Sequence, residues 1–173
     1  MHFAKQLRQG KVKKPIKKTP PTSDVVLLLD EVYDTYNVGG MYRVGDACGV
    51  SKIYHCGATA KLPDPKISRA AVGLEKYIPN RQGIEITSKL KELKSQGFTI
   101  VALEQTPNSK AYYQVKYQGK IALVCGNETF GVSAEALKLS DFTVELPMFG
   151  INKSLNVVVA TGIVLYQIRL TLT

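Results

Sequence analysis

The chain has 173 residues, enough for one domain with a core of its own. Its 45% hydrophobic and 21% charged residues exclude a disordered or fibrous protein and are typical of a globular domain. The formal net charge of +9 favours a polyanionic partner, and nucleic acid is the first candidate.

A basic leader, residues 1–23, opens the chain. It contains seven Lys and Arg residues, three prolines and no acidic residue. Such a composition cannot bury a core, so we expect a flexible or loosely docked arm ahead of one domain, residues 24–173. The arm is either a solubilising tail or a segment that contacts RNA phosphates. Considered with the rest of the chain, RNA contact is favoured.

The most apolar segment, Leu155–Leu170, bears on where the protein resides. It is shorter than about 18 residues and contains polar positions, so it predicts a buried helix rather than a membrane span. The basic first residues lack the apolar stretch of a secretory signal. We therefore expect a cytoplasmic protein with no membrane contact.

The cysteines are odd in number and irregularly spaced, which predicts small buried residues rather than a disulfide framework or a zinc site: Cys48, Cys56 and Cys125.

From Asp24 onward, apolar runs of strand length alternate with segments of helical spacing. The predicted strands are Val25–Leu29, Lys52–Cys56, Thr99–Leu103, Ile121–Cys125 and Phe142–Leu146. The predicted helices are Val38–Cys48, a short one around Ile67–Val72, Ile86–Ser95, Ser133–Leu139 and Leu155–Leu170. This alternation predicts an α/β fold, a parallel sheet with helices on both faces. Ligands of such sheets bind beyond the carboxyl ends of the strands, so the loops that follow the strands are the candidates.

Glycines and polar side chains are concentrated in three of these segments. Gly126-Asn-Glu-Thr-Phe-Gly131 follows the fourth strand and is either a strand-to-helix turn with a polar surface or a ligand loop. In the loop after the fifth strand, Ser154 is a plausible N-cap. Asn156 falls inside the apolar helix, where a buried amide needs a ligand or a backbone loop as its partner.

The first predicted helix carries the adjacent glycines Gly39 and Gly40, which weaken it. They are tolerable if a backbone, or a ribose and its phosphate, must come close. Arg43 on the same helix is either a solvated charge or a bidentate phosphate ligand.

Two nucleotide-binding folds are excluded by their missing motifs. A Rossmann-type enzyme would carry GxGxxG after the first strand and an acidic residue at the end of the second, and this chain has neither. The phosphate-binding motif GxxxxGK[ST] does not occur either.

Taken together, three runs are similar to the three motifs of the SpoU (TrmH-like) RNA 2′-O-methyltransferases of the SPOUT superfamily. They are Asn37-x-Gly-x-x-x-Arg43, Gly126-Asn-Glu-x-x-Gly131 and Pro147-Met-x5-Ser154-Leu-Asn156-Val. The resemblance extends from about Asp24 to Thr173. It implies a parallel sheet with a deep trefoil knot in its C-terminal part, S-adenosylmethionine as the cofactor, no metal, and a homodimer formed by the first and last helices of the domain.

The resemblance also implies roles for individual residues. Contacts to the cofactor would come from Leu103, Gly126, Gly131, Leu146 and Leu155. The catalytic set would be Arg43, Asn37, Glu128, Ser154 and Asn156. Arg43 would reach the ribose hydroxyl and the neighbouring phosphate from the partner subunit, while the other four build the hydrogen bonds around it. Thr129 and Val158 depart from the family pattern, which leaves the fine geometry of the cofactor site open.

The substrate is left open between tRNA and rRNA. A tRNA suits a minimal enzyme better, by analogy alone. The alternative is a knotted RNA-binding protein without turnover, and the intact catalytic set counts against it.

Overall fold

The computed structural model describes residues 3–12 and 24–172 of the chain. Its helices are α1 (Phe3–Arg8), α2 (Thr35–Ala47), α3 (Pro65–Ala71), α4 (Ile86–Ser95), α5 (Ala134–Leu139) and α6 (Val157–Leu172). Its strands are β1 (Val25–Asp30), β2 (Lys52–Cys56), β3 (Asn80–Ile84), β4 (Phe98–Leu103), β5 (Lys110–Ala111), β6 (Lys120–Cys125) and β7 (Phe142–Glu145). Short 3₁₀ turns lie at Leu74–Lys76 and Tyr112–Gln114.

The seven strands form one parallel sheet in the order β3-β2-β1-β6-β4-β7-β5. The expectation of an α/β fold with a parallel sheet is therefore confirmed. β6 lies between β1 and β4, and β7 lies beyond β4. Because all pairs are parallel, the carboxyl ends of β1, β4, β6 and β7 meet at one edge of the sheet.

Helices cover both faces of this sheet, as predicted. Successive strand residues point to opposite faces, so the same strands supply two apolar clusters. In one cluster, α2, α3 and α6 pack on the sheet through residues that include Met41, Ile67 and Val164. In the other, α4 and α5 pack through Leu90, Leu93 and Ala136. The central strands β1, β2, β4 and β6 are buried on both faces, which is why they read as continuous apolar runs.

Two strands of the sheet, β3 and β5, were not predicted from the sequence. β3 reads Asn-Arg-Gln-Gly-Ile and alternates between partly buried and exposed positions at the edge of the sheet, so it carries no apolar run. β5 has only two residues. Both are edge strands, and their pairing depends on the neighbouring strand rather than on their own hydrophobicity.

The caps of α2 and α6 correct two expectations. Asp34 accepts hydrogen bonds from the amides of Tyr36 and Asn37, so α2 begins at Thr35, ahead of the predicted Val38. The prediction of Ser154 as an N-cap is wrong, because Oδ1 of Asn156 accepts from the Val158 amide at 2.9 Å and α6 begins after it. Asn156 is therefore exposed at the helix entry instead of buried within it.

Close helix packing explains the adjacent glycines of α2. A Cβ on Gly39 would lie 2.5 Å from Cβ of Ala70 and 2.7 Å from the Ile67 carbonyl oxygen on α3. A Cβ on Gly40 would lie 2.9 Å from Val158 on α6. Of the two alternatives, approach of another backbone is the one that the structure supports at Gly39.

Part of the basic leader is described. α1 lies against the 3₁₀ turn at Leu74–Lys76, where Nζ of Lys76 donates to the Arg8 carbonyl and the Val12 amide donates to the Tyr77 hydroxyl at 3.1 Å. Leu7 is buried in this contact. The rest of the expected arm, residues 1–2 and 13–23, lies outside the described residues.

Two further expectations concern the cysteines and membrane contact. The three cysteines are free and buried, as predicted: Cys48, Cys56 and Cys125. Among the helices of residues 3–12 and 24–172, none combines the length and the apolar character that crossing a bilayer requires.

Candidate functional site

A cavity of about 540 Å³ opens at the carboxyl edge of the sheet. The segments that follow β4, β6 and β7 line it, together with the entry to α6. All five residues assigned to the cofactor lie in its wall: Leu103, Gly126, Gly131, Leu146 and Leu155. The segments that follow β4, β6 and β7 are thus far apart along the chain but line the same cavity.

Gly126 shows how closely the backbone folds there. A Cβ at this position would lie 2.2 Å from the carbonyl carbon of Gly131 and 2.2 Å from the Val132 nitrogen. Only glycine allows the chain leaving β6 to pass this returning segment. Asn127 and Gly131 exchange two backbone hydrogen bonds of 2.9 Å, which close the loop into a tight turn.

A chain of hydrogen bonds joins the three motif segments beside the cavity. Nδ2 of Asn37 donates to Oε1 of Glu128 at 2.6 Å, and Nδ2 of Asn156 donates to Oδ1 of Asn37 at 3.0 Å. Asn156 also caps α6, so this polar chain is anchored at the entries of α2 and α6. Ser154, Glu128 and Asn156 themselves line the cavity.

Arg43 lies apart from these four residues. It is exposed and lines a second, shallower groove of about 740 Å³ between α2 and α6. Six positions separate it from Asn37 on α2, which leaves the two side chains about 120° apart around the helix axis. Within one chain, the structure therefore does not bring Arg43 to the other four candidate catalytic residues.

The groove around Arg43 is mostly apolar. Tyr112 lines it together with residues of α2 and α6: Gly40, Val44, Ala47, Val158, Val159, Gly162, Ile163, Tyr166, Gln167 and Leu170. Leu170 and Tyr166 are 72% and 53% exposed. A contiguous apolar surface of this kind is a candidate for contact with a partner.

Three polar residues at the ends of strands were not among the predicted site residues, and two of them, Glu104 and Asn127, line the cavity. Oε2 of Glu104 accepts from the Val132 amide at 2.7 Å, and Oδ2 of Asp30 accepts from the Ser133 amide at 2.8 Å. Nδ2 of Asn127 donates to the Glu31 carbonyl at 2.8 Å. Their positions in the sequence could have identified them. Each of the three lies at, or within two residues of, the carboxyl end of a buried strand, where an unpaired polar group is costly.

The charge of the cavity indicates the kind of ligand that it suits. Three carboxylates line it, those of Glu104, Glu128 and Glu145. This wall favours a ligand that carries positive charge. Within the part of the chain that the structure describes, no group of three His, Cys, Asp or Glu side chains could hold a metal ion.

Comparison with known proteins gives one family and several relatives. The model of the SpoU rRNA methylase family matches residues 24–166. The chain is 36% identical over 145 residues to a tRNA (guanosine(18)-2′-O)-methyltransferase of Aquifex aeolicus, a match that covers 83% of this chain and 68% of the relative. It is 35% identical over 150 residues to a 23S rRNA (guanosine(2553)-2′-O)-methyltransferase of Bacillus subtilis, with 86% of this chain and 59% of the relative covered.

A solved structure agrees with the fold. The chain superimposes on an AdoMet-bound rRNA methyltransferase from Sinorhizobium meliloti with a TM-score of 0.82 and 27% identity. The superposition covers 96% of this chain and 60% of that one. The chain thus spans less than two thirds of this structure and of the Bacillus relative.

Proposed function

Because the chain belongs to the SpoU rRNA methylase family, we propose that it transfers a methyl group from S-adenosylmethionine to a ribose 2′-hydroxyl of RNA, with tRNA as its substrate. The observation that carries the proposal is the cavity at the sheet edge, with the hydrogen-bonded chain of Asn37, Glu128 and Asn156 beside it. The tRNA assignment draws on the relative from Aquifex aeolicus.

The residues of the cavity fit the cofactor. Its volume of about 540 Å³ lies within the 300–1,000 Å³ typical of small-molecule sites. S-adenosylmethionine carries a sulfonium and an ammonium group, and the carboxylates of Glu104, Glu128 and Glu145 provide the complementary charge. The turn that begins at Gly126 brings backbone into the wall, where its amides and carbonyls can bind the polar ends of the cofactor.

The protein's contribution to the reaction is positioning and electrostatic stabilisation. The cofactor supplies a methyl group that its sulfonium already activates. Asn37 holds the Glu128 carboxylate in place, and we assign to this pair, with Ser154 and Asn156, the orientation of the ribose. The 2′-hydroxyl gives up its proton to solvent water as the methyl group is transferred, so the oxygen needs a nearby positive charge.

We assign that charge to Arg43 of the partner subunit. Within one chain Arg43 lies in the groove between α2 and α6, and that apolar groove is the surface that we propose for the homodimer contact. A guanidinium stays charged at neutral pH, so it stabilises an oxyanion and binds a phosphate rather than removing a proton.

The same proposal includes the deep trefoil knot, which the insertion of β6 between β1 and β4 and the gathering of three loops at one cavity support. It also places the protein in the cytoplasm.

Methyl transfer to RNA tests the activity. Purified protein with tritiated S-adenosylmethionine is given tRNA and rRNA, in separate reactions, from a strain that lacks this gene, and mass spectrometry locates the 2′-O-methyl mark. Incorporation into tRNA supports the proposal. Incorporation into rRNA alone would move the substrate to the class of the Bacillus relative, and cofactor binding without transfer to either RNA would contradict the activity.

Mixed dimers test the shared site. Arg43→Ala and Glu128→Ala are each expected to abolish transfer, but a one-to-one mixture that is allowed to exchange subunits forms one intact site per heterodimer. About a quarter of the wild-type activity should return. A mixture that stays inactive after verified exchange would place Arg43 and Glu128 of the same chain in one site.

A further inference from the structure

Phe130 and Phe149 are the most exposed aromatic side chains among the described residues, at 82% and 93% exposure. They lie on two separate loops that line the cavity: Thr129 and Met148, their immediate neighbours, belong to its wall. Neither phenyl ring lines the cavity itself. Contact with the bound cofactor inside the cavity therefore does not account for them.

The turn that carries Phe130 is held rigidly. The amides of Thr129 and Phe130 both donate to Oδ1 of Asn127, at 2.7 and 3.0 Å, and Asn127 is itself tied to the Glu31 carbonyl. Glu128, two residues before Phe130, is bound to Asn37 at 2.6 Å. An apolar ring on such a fixed turn contributes nothing to the core of its own chain, so it is available to a partner at the mouth of the cavity.

Resting on the proposed function, we propose that Phe130 and Phe149 stack on unpaired bases of the RNA, so that the enzyme acts on a nucleotide in a single-stranded or looped segment. A ribose that lies at the pair of Asn37 and Glu128 carries its own base and those of its neighbours to the mouth of the cavity. Aromatic faces stack on any base, and proteins recognise RNA mostly through unpaired bases stacked in this way.

A second copy of this chain is the competing occupant of these rings. The continuous apolar surface suited to a copy lies elsewhere, in the groove between α2 and α6. The two rings instead lie on separate loops, whose cavity-lining residues include the polar Thr129 and Asn152. The net charge of +9 also favours a nucleic acid over another positively charged chain.

Steady-state kinetics on tRNA from a strain that lacks this gene provide the first test. Phe130→Ala and Phe149→Ala should each raise the KM for tRNA about 5- to 150-fold, the range for loss of one stacked base. Phe130→Tyr and Phe149→Tyr should restore most of the affinity. Tyr113→Ala, at a 53% exposed ring outside both pockets, is the matched control and should leave KM unchanged.

Fluorescence gives a second readout that needs no turnover. The chain contains no tryptophan, so Phe130→Trp introduces a single indole at the mouth of the cavity. A short single-stranded oligoribonucleotide of mixed sequence should quench this indole more strongly than the same strand annealed to its complement. The indole of Tyr113→Trp should respond to neither.

The outcomes separate this proposal from the proposed function. If the wild type methylates RNA but both alanine variants keep its KM, the stacking proposal is wrong and the activity stands. Loss of the dimer or of cofactor affinity in the alanine variants would assign the rings to a second copy or to the cofactor, and would also overturn it. If the wild type methylates no RNA, quenching by single strands still supports stacking, and its absence refutes it.

Discussion

Exchanging the amide of Asn37 for a carboxylate tests the polar chain beside the cavity with almost no change in shape. Asn37→Asp removes the hydrogen bond of 2.6 Å to Glu128 and brings two carboxylates into contact, while Asp Oδ1 can still accept from Asn156. A hydrogen bond to a charged group stabilises a protein by about 1.5 to 3 kcal/mol. Because this hydrogen bond is exposed to solvent, we take the lower value, about 1.5 kcal/mol, for the bond that is lost. Repulsion between the two charges adds about 1 kcal/mol in a water-like dielectric.

One effect opposes these losses. Position 37 lies in the first turn of α2, where a negative charge gains about 0.5 kcal/mol from the helix dipole. We therefore expect Asn37→Asp to lower the free energy of unfolding by about 2 kcal/mol. Asn37→Ala, which loses the same hydrogen bond but brings in no second carboxylate, should lower it by about 1.5 kcal/mol. Urea denaturation measures both, and added salt should reduce the loss for the aspartate only.

The double variant Asn37→Asp with Glu128→Gln provides the decisive comparison. It exchanges donor and acceptor, so that the glutamine amide donates to the aspartate and the repulsion disappears. The restored hydrogen bond and the removed repulsion should make its stability exceed the sum of the two single effects by about 2.5 kcal/mol. If the two single effects simply add, or if salt does not distinguish the aspartate from the alanine, Asn37 and Glu128 do not form the contact described.

Three further predictions concern the leader, the thiols and acid. Deleting residues 1–19 should weaken RNA binding and reduce the dependence of RNA affinity on salt concentration, without changing cofactor affinity. If the salt dependence of RNA affinity is unchanged, the leader does not contact RNA phosphates. Burial raises the pKa of the Cys48 thiol to about 11 and the pKa values of Cys56 and Cys125 to about 12. The thiol reagent DTNB should therefore react rapidly only with unfolded protein. Rapid labelling of the native protein would contradict the burial of these thiols. Burial lowers the pKa of His55, so the unfolded chain binds the proton first and stability should fall as the pH drops below about 6.5, by at most about 1.4 kcal/mol per pH unit. His55→Gln should reduce this slope in urea titrations at several pH values, and an unaltered slope would place its origin elsewhere.

The central strands could be predicted from the sequence because a strand that is buried on both faces consists almost entirely of apolar residues. β2 and α4 have the predicted bounds, and β1, β4, β6 and β7 differ from them by one residue at one end. The edge strands could not be predicted, since β3 is polar and β5 is too short to show a pattern. Their place in the sheet follows from backbone pairing with β2 and β7.

The candidate site was predictable as a set of loops but not as a set of contacts. Motif spacing identified the segments that line the cavity, yet nothing in the spacing says that Asn37 bridges Glu128 and Asn156. The role of Asn156 as the cap of α6 was hidden because the apolar pattern extends one residue ahead of it. Capping depends on backbone geometry at the turn, which hydrophobic periodicity does not encode.

The position of Arg43 has the largest consequence. The carboxylates and amides gather at one cavity, while the candidate cation lies on a different face of α2, in an apolar groove that a single chain leaves open. Under the proposed function, a chain on its own would hold the cofactor and orient a ribose, but it would have no positive charge from Arg43 at the reacting oxygen. If dimerisation through the groove supplies that charge, cofactor binding is a property of the monomer and methyl transfer a property of the dimer. Turnover per chain should then fall on dilution in step with dimer dissociation, while cofactor affinity stays constant.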